Sequence, residues 1–320
     1  MEYVLVLGGC TLDKTYYQNK NFSFPKKPNI LKTGGKGANQ AISASKAGAN
    51  VVMLTRLSAK KGEKATTKLI LQNLKDNKIN VDNVELDPDI YNDFSSIYLS
   101  SNGDIDLKRM TSAIDSFDDD LIEKYRQLIL NAKIVVSQFK APKSFLHSLI
   151  DFCYQNNKTI VLTPTRPDHL KIYDKENEDL LNKVTYITAN EIECKRIFEG
   201  YSIEDAVKKY PNKLIVTLGE NGLIYHNGKD IVRLPAFNLG QVVDTAGAGE
   251  TFVGNFVAGL FNGYTFEQSL IRASVASAMK IQHHSAQNGI PTKKELDSQI
   301  NKLIAENAYP QINFSSSIGK

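Results

Sequence analysis

Short, β-branched apolar runs alternate with helix-length segments along most of this chain, and that alternation restricts its fold more than any other feature. Runs of strand length fall at 3–7, 51–55, 134–137, 159–163, 185–188 and 214–217. Between most of them, residues 38–47, 63–76, 118–131, 142–156, 191–198 and 203–210 carry apolar residues at helical spacing. Strands that are apolar throughout are buried on both faces, so the pattern predicts a doubly wound α/β fold: a mostly parallel central sheet with helices on both faces. A hairpin follows, 222–226 and 231–234 joined across Asn227-Gly228, whose residues accept the positive φ of a tight turn. Two helices close the region, one over 250–261 ending at Asn262-Gly263, the next opening at the capping box Thr265-Phe266-Glu267-Gln268.

A second set of β signals lies outside the alternation, at 14–24 and 30–33, and at 95–100 paired with 105–110 across Asn102-Gly103. These predict a small projecting sheet, read either as a lid or as surface ribbons without a role. The 320 residues, 42% of them hydrophobic, are enough for a single domain with lid segments at about 14–33 and 91–110 inserted in it. Net charge is +4, from 39 basic and 35 acidic residues, with no arginine-rich run, which points away from nucleic acid. Cys10, Cys153 and Cys194 are widely spaced, so neither a disulfide framework nor a zinc site is indicated. No apolar stretch reaches membrane-spanning length and nothing resembles a signal peptide; a cytoplasmic location is expected.

Two glycine-rich turns carry the chemistry. Asp244-Thr245-Ala246-Gly247-Ala248-Gly249-Glu250 opens onto a helix, and small residues let backbone N–H groups converge where the helix dipole is positive, a site for phosphate. Glu250 beside an anion site suggests proton abstraction from an attacking hydroxyl; the bland reading is an acidic residue in a first helical turn. Gly34-Gly35-Lys36-Gly37-Ala38-Asn39-Gln40-Ala41 also brings backbone close to a ligand, and Asn39 donates and accepts hydrogen bonds as sugar hydroxyls require. Alone, it reads equally as a tight strand-to-helix turn with Lys36 solvated.

In this order, the two motifs resemble the two signatures of ribokinase-like carbohydrate kinases of the phosphofructokinase B family, and the similarity spans nearly the whole chain. Asn190-Glu191-Ile192-Glu193 resembles the family's Asn-x-x-Glu segment, and Thr217-Leu218-Gly219-Glu220-Asn221-Gly222 its nucleotide-contacting loop. The resemblance implies that Thr11, Asp13, Gly34, Gly35, Lys36, Asn39 and Lys140 stand at sugar-binding positions. It implies that Ala246, Gly247, Ala248 and Gly249 cradle the transferring phosphoryl group, with Glu250 as the base. Asn190, Thr217, Gly219, Gly222, Thr245, Gly249 and Ser274 would contact ATP, and Glu193 would hold Mg2+ through water. Ser274 reads equally as a packed helical serine. A potassium ion at Asp244 and Ala246, with the segment Ser285–Gly289, is implied by the same resemblance, although Lys280 falls near that region and Gly289 replaces a family serine; a homodimer joined through the lid is implied too.

Three departures stand out. Glu250 replaces the family's aspartate and is one methylene longer; Thr11 replaces an asparagine; Lys140 falls where ribokinase-like members carry a glutamate. The implied activity is ATP-dependent phosphorylation of a sugar hydroxymethyl group, ribose at O5 leading. A nucleoside kinase, a kinase of sugar acids or sugar phosphates suggested by Lys140, and a catalytically weak sugar-binding protein remain alternatives.

Overall fold

The computed structural model describes residues 1–19, 23–102, 104–138, 140–164 and 175–306. In chain order its strands are β1 (Val4–Leu7), β2 (Thr11–Tyr17), β3 (Ile30–Gly34), β4 (Val51–Leu54), β5 (Arg56–Ser58), β6 (Glu85–Asp87), β7 (Asp93–Leu99), β8 (Ile105–Met110), β9 (Ile134–Gln138), β10 (Thr159–Thr163), β11 (Tyr186–Asn190), β12 (Leu214–Thr217), β13 (Leu223–His226) and β14 (Ile231–Leu234). Its α-helices are α1 (Lys36–Lys46), α2 (Lys64–Asp76), α3 (Asp119–Lys124), α4 (Arg126–Asn131), α5 (Lys143–Gln155), α6 (Lys175–Lys183), α7 (Glu191–Ile197), α8 (Ile203–Lys209), α9 (Ala248–Phe261), α10 (Phe266–Lys280) and α11 (Lys293–Ala305).

The large sheet runs β14-β13-β12-β11-β10-β9-β1-β4, parallel from β4 to β12 and antiparallel across the last hairpin. Along β1 the pleat sends alternate residues to opposite faces: Leu5 and Leu7 join one core, Val4 and Val6 the other. This two-sided burial is why the strands read as unbroken apolar runs. β1 has β4 on one side and β9 on the other, so chain connections leave in both directions from its carboxyl end, where open α/β sheets place their ligands.

The two motif helices pack directly on each other on one face. Gly254 of α9 lets the helices approach until a Cβ there would overlap Ser43 of α1. Ser43 Oγ donates to the Thr251 carbonyl at 2.9 Å and accepts from Asn255 Nδ2 at 3.0 Å, so the crossing is hydrogen-bonded as well as close. Gly254→Leu therefore separates α1 from α9 and costs about 3 kcal/mol or more of stability, checked by urea unfolding.

The small sheet runs β3-β2-β7-β8. β2 begins at Thr11 rather than at 14 and ends at Tyr17, because the chain then turns through an Asn19 side-chain contact to Ser23 and through Pro25 and Pro28, which have no N–H to donate. β7 likewise starts earlier than expected, at Asp93. Gly103 of the expected hairpin turn lies outside the described residues. The segment expected as one helix over 118–131 is two, α3 and α4, broken at Tyr125 (φ −104°, ψ 19°). The sequence reading stops at α10, yet α11 follows with its own capping box at Thr292 and Glu295 and packs Leu296, Ile300 and Leu303 into a third core. Among the described residues no helix is long and apolar enough to cross a membrane.

Candidate active site

Both glycine turns become helix starts that converge beyond the carboxyl end of the sheet. Gly35 caps α1 at φ +98°, where a Cβ would lie 2.6 Å from the Gly9 carbonyl. Gly247 caps α9 in the left-handed region at φ +82°, and a Cβ there would collide with the Ala286 carbonyl. Only glycine satisfies both demands at once. Neither cap supplies a side-chain acceptor; Ala38 N–H of α1 is taken by the Gly9 carbonyl and Ala248 N–H of α9 by the Thr245 carbonyl, which leaves the other first-turn N–H groups to a ligand at the helix starts. Gly249 opens on that space: a Cβ built there meets nothing within 4 Å.

Glu250 and Glu193 both stand third in a helix, and they are used differently. Glu193 accepts the Asn190 N–H at 3.0 Å while the Asn190 side chain accepts the Glu193 N–H at 2.8 Å, closing a capping box. Glu250 follows a glycine cap with nothing to reciprocate, and its Oε1 instead lies 3.0 Å from Lys36 Nζ. The same Lys36 Nζ is 4.0 Å from Glu193 Oε1. Burial alone lowers the Lys36 pKa, but Glu250 and Glu193 outweigh it and hold the ammonium above its ordinary range. For Glu193, burial raises the carboxyl above the usual range against the Asn190 N–H and Lys36, with Glu250 adding to the rise. Lys36 is thus a shared counter-ion at the meeting point of three motifs, although its side chain remains 41% exposed.

On the other side of α1 lie the expected sugar positions. Thr11 and Asp13 sit on β2, and their side chains meet at 3.5 Å. A Cβ on Gly34 would lie 2.5 Å from Asp13 Oδ2, so the glycine leaves that carboxylate its room. Burial raises the Asp13 pKa; Ser95, Thr11, Arg109 and Lys140 oppose it. Asn39 is buried on α1 and its Oδ1 accepts from Gln287 Nε2 at 2.8 Å. Strand register aligns Lys32, Asp13, Ser95 and Arg109 in one row across the small sheet.

Lys140 does not present a free charge. Its Nζ lies 3.6 Å from Asp93 Oδ2, an oxygen with no hydrogen bond among the described residues, on a side chain with 0% exposure. The other Asp93 oxygen accepts the N–H groups of Ser112 and Ala113. Lys140→Met leaves Asp93 buried and unpaired and destabilises the fold by about 2 kcal/mol, less than a fully buried pair because Lys140 is partly exposed; adding Asp93→Asn recovers part of the loss in thermal unfolding.

Thr217, Gly219, Gly222, Thr245, Gly249 and Ser274 all line one cleft of about 790 Å³, within the range that holds a cofactor-sized ligand. The Ser274 hydroxyl itself donates to the Leu270 carbonyl at 2.9 Å inside α10, so its side chain is engaged in its own helix. Asn190 does not line this cleft but lies at the start of α7 with Glu193. Asp244 ties the phosphate turn together, accepting from Ala246 N at 2.9 Å and Ser285 N at 2.7 Å. Burial raises its pKa, but these bonds with Lys280 and His284 hold it below the ordinary range. The three cysteines are buried free thiols pushed up to about 12, far from any nucleophilic role.

The sequence matches the profile of the pfkB family carbohydrate kinases over residues 1–293. The chain belongs to that family. This kinase is 32% identical to a ribokinase of Lactococcus lactis over 278 residues, 84% of this chain and 86% of that protein. It is 30% identical to a ribokinase of Bacillus subtilis over 305 residues, 93% and 99% of the two chains. Its fold superposes with a TM-score of 0.77 on Arabidopsis thaliana ribokinase complexed with ribose and ATP, at 22% identity over 93% of this chain and 98% of that one. A nucleoside kinase of Burkholderia thailandensis in complex with inosine shares the same fold, with a TM-score of 0.75 and 20% identity over 94% and 97%.

In this kinase, then, two signature motifs lie at one place, joined by an ion pair that motif reading did not supply. Asp93, Arg109 and Gln287 were not legible from motifs. The one signal for Arg109 was strand pairing, which puts it in the Asp13 row. A buried polar chain was missed too: Gln138 Nε2 donates to Gln40 Oε1 at 2.8 Å, and Gln40 Nε2 to Thr163 Oγ1 at 3.1 Å, linking the strand ends to α1.

Proposed function

We propose that this kinase transfers the γ-phosphoryl group of ATP to the hydroxymethyl oxygen of a small sugar, ribose at O5 foremost, with Glu250 as general base. The observation that carries the reading is the Lys36–Glu250 pair, which puts a carboxylate and a cation between the sugar-type turn and the phosphate turn. The sugar would be held by Thr11, Asp13, Gly34, Gly35 and Asn39, with Lys140 behind them. Its hydroxyl would give a proton to Glu250 as the new bond to the γ-phosphorus forms and the bond to the departing ADP breaks, and the Ala246–Gly249 turn would receive the charge on the transferring group through the N–H groups that Asp244 Oδ1 and the Thr245 carbonyl leave unbonded. Lys36 would then exchange part of its contact with Glu250 for the phosphate. ATP would lie in the cleft of Thr217, Gly219, Gly222, Thr245 and Ser274, with Asn190 near its phosphates. Magnesium fits Glu193, whose Oε1 is not used by the capping box; the ion would be held there through water and would screen the phosphate charge.

The longer side chain of Glu250 is held by its 3.0 Å contact with Lys36 and is anchored rather than loose. The charge of Lys140 is opposed by Asp93, which favours a neutral sugar over an anionic one. Arg109 favours the second reading, a sugar acid or sugar phosphate, because it faces Asp13 from the small sheet. Comparable turnover of ribose and of acidic pentoses in an ADP-release assay separates the two: the leading reading expects a clear preference for ribose. The small sheet is read as a lid that closes over the sugar and excludes water, and as the contact of a homodimer. Supporting the latter, Tyr16 and Tyr98 stack at 4.7 Å on the face turned away from Asp13, beside half-exposed Leu31.

A further inference from the structure

The family resemblance implies a potassium ion held by loop carbonyls near Asp244 and Ala246. The residues of this chain do not fit one. Lys280 ends α10, and its side chain is completely buried, at 0% exposure. Its Nζ donates to the Asp244 carbonyl and to the His283 carbonyl, both at 3.2 Å. Those carbonyls belong to the two segments a bound cation would tie together: the phosphate turn, and the loop of residues 283–289 behind it. The segments are already clamped, since Ser285 N donates to Asp244 Oδ2 and Gly247 packs on the Ala286 carbonyl. Burial holds the Lys280 pKa below its ordinary range, and Asp244 and Glu250 oppose that shift by favouring the charged form. A second cation within a few Å of a buried ammonium would meet unscreened repulsion and would compete for the same oxygens.

We propose that Lys280 is a tethered substitute for the monovalent cation, its ammonium holding the Asp244 and His283 carbonyls and so fixing the turn that receives the phosphoryl group. The inference rests on the kinase reading for its consequence, a phosphoryl transfer indifferent to potassium, but its structural part is independent of turnover. The chain has exchanged a diffusible ion for a covalently attached one, which removes the entropy of capturing it and any response of the site to salt composition.

The test compares chloride salts of potassium, sodium, ammonium and choline at equal ionic strength, on the wild-type chain and on Lys280→Ala, reading thermal unfolding, ADP affinity and rate. The wild type is expected to give the same unfolding temperature and ADP affinity in all four. Lys280→Ala is expected to bind ADP at least about tenfold more weakly in choline, with recovery in potassium or ammonium, whose ions enter the space the side chain leaves. A saturable gain in wild-type stability or ADP affinity on adding potassium overturns the proposal, and needs no variant that folds. Because unfolding and ADP binding are read without turnover, a chain that proves not to be a sugar kinase fails in the rate arm alone.

Discussion

Glu250→Gln lowers kcat by about 10²–10⁴-fold while leaving sugar and nucleotide affinities within a small factor. The amide keeps the size of the side chain and its reach toward Lys36 Nζ, now 3.0 Å from the carboxylate, so the turn and α9 retain their geometry. It cannot take a proton. Phosphoryl transfer depends on alignment and charge, and the base is the one group at this site that bonds chemically to a substrate proton. Glu250→Asp sharpens the point: the carboxylate draws back by one methylene, loses its close contact with Lys36, and should keep a rate within about tenfold of the wild type, as a base displaced rather than removed. Steady-state kinetics with titration calorimetry on both variants separates chemistry from binding. A Gln variant with full rate removes Glu250 from the mechanism.

Lys36→Met is the second large effect. The substitution keeps the length of the side chain on α1 but removes the cation that pairs with both Glu193 and Glu250. Losing a positive charge next to carboxylates favours their protonated forms, and Glu193 is already lifted by burial and by Glu250. With Glu193 lifted further, the acid limb that its protonation sets moves to higher pH, and loss of the cation beside the transferring group lowers kcat by about 10–10²-fold. Lys36→Arg restores the position of the limb if charge is what matters. A merely structural role for Lys36 would lower kcat uniformly, with the limb unmoved in both variants.

The split between what was legible and what was not follows from where the information lies. Buried parallel strands are local patterns, so the central sheet could be read from the chain, while the pairing of the two glycine turns and the residues of the expected nucleotide cleft came from the family resemblance of their motifs. Thr217, Gly219, Gly222, Thr245 and Gly249, named from two distant motifs, line the same cleft. The ion pairs could not be read. Lys36 with Glu250 joins residues more than two hundred positions apart, and Lys140 with Asp93 depends on a strand that starts two residues earlier than its polar-aromatic pattern suggests. Charge at a position says nothing of its partner. For that reason Lys140 reads in the sequence equally as a reversed charge facing substrate or as a rim lysine in water, whereas its Nζ lies 3.6 Å from a buried carboxylate. The phosphate turn is an intermediate case: the sequence puts Lys280 near it, and the contact of its Nζ with the Asp244 carbonyl comes from the end of another helix and needs the fold.

The most direct test of the central claim is ADP formation with ATP and magnesium across ribose, other pentoses, hexoses, sugar acids, sugar phosphates and nucleosides, with the phosphorylated product identified by phosphorus NMR. The expected result is ADP production strictly dependent on ribose, one ADP per ribose 5-phosphate. Thermal stabilisation by ribose and ATP with no ADP formed would contradict it.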